Sequence, residues 1–196
     1  DDINRLSQYA GQISKMFAEV KKDKPLERLL LAAGMAGHAC HLAVKHNRER
    51  FEIVGYDDGR KFYFGDALNF YLLENKYSVY YMLMGYYDRQ MAGSGGIGPD
   101  MREILAENIK NISNTEYRIS GKYDPKDIYK EVTECWNGIY DNMTGKWCKN
   151  PDEWPVLFGI VLQLTLFRIS APPEELVKKA LECLMYISKM DEDSLN

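Results

Sequence analysis

Residues 51–66 carry two aromatic and β-branched runs, Phe51-Glu-Ile-Val-Gly-Tyr56 and Lys61-Phe-Tyr-Phe64, on either side of Asp58-Gly59. Asp-Gly suits both positions of a two-residue type I′ turn, so the segment reads as a β-hairpin. Such a turn sets Val54 opposite Tyr63 and Ile53 opposite Phe64. Apolar side chains then occupy both faces. A lone hairpin is marginal in water, so this one must lie against helices or gain strands. Tyr117-Arg118-Ile119 is a candidate third strand.

Helical spacing dominates elsewhere. Ile3, Leu6, Ala10, Ile13, Phe17 and Val20 make one apolar stripe, and Pro25 opens a second helix that runs to about His46. The middle of that helix, residues 32–43, is crowded with small side chains. Glycine inside a helix costs about 1 kcal/mol against alanine, so close approach of another backbone or a ligand is expected to compensate. Ala32, Ala36 and Cys40 form the ridge along which that approach is expected. Asp66 is placed to cap a helix that continues from Phe70 to Tyr87, with a break expected at Glu74-Asn75-Lys76. That stretch is apolar on two faces and must be central or shared with a partner. Further starts fall at Pro99-Asp100, at Asp124-Pro125 with an end near Gly145, at Asn150 with a capping-box Glu153, and at Ser170. No repeat or flexible linker divides the chain. The expected fold is mainly α with minor β: a multi-helix, bundle-like single domain, 1–196, with one β-hairpin.

Composition excludes several function classes. With 45% apolar and 28% charged residues the chain is globular rather than disordered, and a net charge of −4 argues against nucleic-acid binding. The longest apolar run, Trp154 to Phe167, falls short of the ~18 residues that a membrane helix needs, so no membrane association is expected. Cys40, Cys135, Cys148 and Cys183 are widely spaced and read as free thiols in a reducing, cytoplasmic setting. The opening Asp1-Asp2, with no methionine, leaves room for a segment upstream. Lys45, His46, Arg48 and Arg50 read as a solvated helix end, and Asp191-Glu192-Asp193 as a frayed acidic terminus.

Three constellations invite chemistry. His38 and His41 share a helix face at i, i+3, beside Cys40. The i, i+4 histidines and intervening glutamate of helix-borne zinc hydrolases are absent, and His41 points away from Cys40 around the helix. Packed histidines beside a buried thiol are the plainer reading, so no metal and no cofactor is assigned. The loop with Gly93, Gly95, Gly96 and Gly98 precedes a helix N-terminus, as anion loops do. No strand precedes it and no Gly-Lys-Ser/Thr follows, so a hinge or lid is the better reading. Asp66 and Asn69 stand at the hairpin exit, where capping explains the acid. Gln163 interrupts an apolar run and requires a hydrogen-bond partner.

Two functional readings result. Tyr (14 residues), Phe, Trp and Met are abundant, as they are at interfaces, which favours a binding or assembly module that self-associates as a homodimer. The alternative is a small-molecule-binding protein or enzyme. Its pocket would lie between His38, Cys40 and His41, the exit residues Asp66 and Asn69, and the glycine loop.

Overall fold

The computed structural model describes residues 2–94 and 98–195. These residues are mainly helical, and among them there is a single two-stranded antiparallel hairpin. The order is α1 (Asp2–Val20), α2 (Pro25–His46), β1 (Glu52–Gly55), β2 (Lys61–Phe64), α3 (Asp66–Asn69), α4 (Val79–Gln90), α5 (Met101–Ser113), α6 (Pro125–Asn142), α7 (Trp154–Phe167) and α8 (Pro173–Ser188).

Helix α2 is the axis of the core. Every residue from Leu29 to His41 is buried, and α2 packs on α8, α7 and α6, while α1 and α4 close over α7. The close approach expected of its small residues is present, but at the glycines. A Cβ on Gly37 would stand 2.3 Å from the Leu184 carbonyl oxygen, and one on Gly34 would stand 2.6 Å from Val132 Cγ2. Ala32, Ala36 and Cys40 are fully buried in the same core. The absent Cβ atoms let the α2 and α8 backbones meet, which offsets the helix-propensity penalty with extra packing.

The hairpin differs from the expected register by one residue. Ile53 faces Tyr63 and Val54 faces Phe62. Tyr56 and Arg60 close the ladder, with Tyr56 N–H donating to Arg60 O (2.9 Å), so the loop has three residues and Gly59 alone takes a positive φ, +89°. This is the turn-plus-bulge loop, in which glycine serves the left-handed position after Asp57-Asp58. Cover on both faces is found for β2. On one face Tyr63 and Phe51 pack on His41; on the other Phe62 packs edge-on against Tyr186 of α8.

Other local expectations change in detail. Tyr117-Arg118-Ile119 adds no strand: Ile119 forms an isolated bridge with Tyr123. Asp66 does not cap α3. Gly65, at φ +133°, holds the N-cap position without a side-chain bond, and Asp66 is exposed one residue inside the helix. The break at residues 75–78 is real: a π-helical turn, Phe70–Glu74, ends there and Ser78 caps α4 by accepting from Tyr81 N–H. Gly145 lies inside a second π-helical turn, Met143–Trp147, instead of terminating α6. Asn150 caps the turn that leads to α7, but Glu153 forms no capping box and pairs with Arg5 (2.8 Å). Gln163 donates to Met82 O on α4 (2.8 Å), which satisfies its amide within the chain. Among the described residues, no helix is long and apolar enough to cross a membrane.

Candidate interaction site

The largest departure from expectation is the acidic segment, which is a clamp and not a frayed end. After α8 the chain crosses the outer edge of β2. Tyr63 N–H donates to Lys189 O (2.8 Å), and the Ser194 hydroxyl donates to the Lys61 carbonyl. Asp191 and Ser194 form a capping box around the turn Glu192–Ser194. Asp191 Oδ2 also receives His41 Nε2 (3.1 Å) and Lys45 Nζ (2.8 Å), and Asp193 Oδ2 accepts from the Tyr63 hydroxyl (2.7 Å). Burial pushes the Asp191 carboxyl up. Hydrogen bonds from His41, Lys45 and the Glu192 N–H outweigh that and hold it well below the usual carboxylate range. Lys45 therefore belongs to the clamp, although it stands at the end of α2.

This arrangement decides the role of His41. Its Nδ1 faces the Ser188 carbonyl (3.0 Å) and its Nε2 faces Asp191, while the ring stacks on Phe51 at 4.7 Å. Both ring nitrogens are thus engaged by oxygens of the protein itself. Neither nitrogen is left to take a proton from a nucleophile. Cys40 is fully buried, and burial pushes its thiol above the ordinary range. His38 lies edge-on to Tyr129 and Trp136, and burial, then the neighbouring His41, pulls it down to about 3. Its Nδ1 finds no hydrogen bond among the described residues. Aromatic rings thus fill the space beside His38 where an open pocket would be needed. Among the described residues, no three His, Cys, Asp or Glu side chains converge as a metal site.

The remaining candidate residues do not join this cluster through hydrogen bonds. Asn69 is half-buried at the end of α3. Gly93 is exposed at φ +83°, whereas Gly98 packs by Met84 and Tyr87 of α4. Gly95 and Gly96 lie outside the described residues.

The clamp makes the two edges of the hairpin unequal. The β2 edge is covered by residues 189–194. All four residues of β1 are exposed, Ile53 at 57% and Val54 at 43%, and the main neighbour of β1 is β2. Because Tyr56 bonds Arg60, the pairs Val54–Phe62 and Glu52–Phe64 are the hydrogen-bonded ones in the alternating ladder. The N–H and C=O groups of Ile53 and Gly55 therefore point away from β2, on the bare edge. No lysine or proline interrupts β1, and such residues commonly protect an edge strand. The sequence shows that a lone hairpin needs cover, but not which of its edges the chain covers itself.

Fold and site together define an α-rich domain carrying a clamped hairpin with one open edge. No family model matches the chain, and no curated protein or solved structure is significantly similar to it.

Proposed function

We propose that the chain is a non-catalytic assembly module that self-associates as a two-fold dimer through the bare edge of β1. The observation that carries this reading is the asymmetry of the hairpin: one edge is closed by residues 189–194 and the other presents exposed Ile53 and Val54. A second copy is the favoured occupant because the edge complements itself. Outward groups must meet outward groups, so an antiparallel two-fold pairing sets Ile53 against Gly55 of the second copy and places Val54 on the axis. The same register carries exposed Arg50 toward Asp57 and Asp58 of the second copy, so opposite charges flank the strands. Moving the axis to Ile53 would instead set Glu49 against Asp57. The bonded edge is short beside a standard interface of about 1,600 Å², so the dimer is weak. Four free cysteines accord with a reducing compartment such as the cytoplasm.

Light scattering from about 10 µM to about 1 mM tests the proposal. The mass should rise above 22.7 kDa with concentration. Val54→Lys and Val54→Glu should each stay monomeric, because like charges meet on the axis, and an equimolar mixture should recover the dimer. A wild-type mass that holds at the monomer value, or a mixture that stays monomeric, refutes the β1 dimer.

A further inference from the structure

A cleft of about 170 Å³ opens on the other side of the hairpin, between its turn, residues 115–118, the start of α6 and the end of α8. Three cations line it: Arg60, Arg118 and Lys126. Arg60 is rigidly placed. It is only 7% exposed, and its guanidinium lies over the rings of Tyr56 (5.3 Å) and Phe62 (5.2 Å). Its Nε donates to Asp58 (2.7 Å) and its Nη1 to the Ile112 carbonyl (3.3 Å).

The acids of the cleft are already engaged. Asp58 accepts both the Arg60 N–H (3.1 Å) and the Arg60 side chain, and these bonds hold its carboxyl below the usual range. Asp124 caps α6 by accepting the Lys126 N–H (2.9 Å). The other two cations lack close ion pairs, although the Lys126 charge acts on the Asp58 carboxylate through space. Arg118 bonds only the adjacent Tyr117 carbonyl (2.9 Å), and among the described residues neither it nor Lys126 forms a salt bridge. The cleft therefore has three cations against two carboxylates, and two of those cations keep unused donors, in a chain whose net charge is negative.

We propose that this cleft binds a phosphate-type oxyanion, either inorganic phosphate or a phosphate monoester. An arginine fork and a lysine point charge arriving from separate segments suit a tetrahedral group with several acceptor oxygens better than a planar carboxylate. The volume fits a group of that size with a small substituent. Tyr117 and Tyr186, whose rings stack at 5.4 Å, give that substituent an aromatic wall. Asp58 lines this cleft and also flanks the β1 register, but Arg118, Lys126 and Val54 each belong to one site alone, so their variants test the two proposals separately.

The test is calorimetric titration with inorganic phosphate and, separately, with phenyl phosphate, at constant ionic strength. Saturable binding is expected below about 10 mM, tighter for the ester if the aromatic wall is used and equal for the two if only the anion is held; both results support the site. Arg118→Gln and Lys126→Gln, each near the surface, should weaken binding at least about tenfold together. Their far-UV circular dichroism and unliganded melting temperature should match the parent. The absence of saturable heat with either probe, or unchanged affinity in the folded double variant, overturns the proposal.

Discussion

Replacing Gly37 with alanine should destabilise the protein despite improving the intrinsic helix propensity of α2. The propensity gain is about 1 kcal/mol. Against it stands a Cβ placed 2.3 Å from the Leu184 carbonyl oxygen and 3.1 Å from Ser188 N. Carbon–oxygen contacts settle near ~3.3–3.6 Å, so α2 and α8 must separate by about 1 Å. The obstacle is backbone, with no flexible side chain to swing aside. Overpacking of this kind costs up to about 3 kcal/mol or more, which leaves a net loss of about 2 kcal/mol. In a chain of 196 residues that lowers the melting temperature by about 4–8 °C. Gly138→Ala is the control, because it lies on the exposed side of α6 with nothing within 4 Å of its added Cβ. It should raise the melting temperature by about 2–4 °C. Both variants are read by thermal unfolding followed by far-UV circular dichroism. A Gly37→Ala protein as stable as the parent would refute the close packing of α2 on α8.

Two further outcomes are expected. Lys189 is buried over the Phe64 ring with no hydrogen-bond partner among the described residues, and burial pulls its amine down from 10.5 to about 7. Between those values the unfolded chain holds a proton that the folded chain has lost, so this group makes stability rise with pH over that window. Urea denaturation should show Lys189→Met more stable than the parent at pH 6, with the advantage narrowing toward pH 10; a gap that does not change with pH contradicts this. All four cysteines should alkylate in non-reducing denaturant. Under native conditions Cys135 should label first, because it is half-buried and its thiol is pushed only to about 11, whereas Cys40, Cys148 and Cys183 are buried. Mass spectrometry of peptides reads the order.

What was legible in the sequence follows the range of the interactions. The hairpin and its need for cover on both faces could be read from residues 51–64, because alternation and turn chemistry are local. Its register could not, since Asp58-Gly59 fits a two-residue turn as well as the tail of a three-residue loop. The small residues of α2 announced close approach, yet whether the ridge or the glycines made it depended on where α8 crossed. Asp191-Glu192-Asp193 was misread because an acidic run has the same local pattern whether it is solvated or paired. Only tertiary contact with His41, Lys45 and Tyr63 separates the two cases.

That contact also bears on the order of folding. Asp193 meets Tyr63 across 130 positions of sequence, and Asp191 meets His41 across 150. The hairpin itself needs only a three-residue loop to close, on the order of microseconds, while the strap across β2 must await closure of a very long loop. Any hairpin formed before the strap docks has both edges bare, and a second chain can then occupy the place of residues 189–194. Refolding at high concentration should favour exchange of this strap between chains, and variants that weaken the bonds of Asp191 should lengthen the exposed interval.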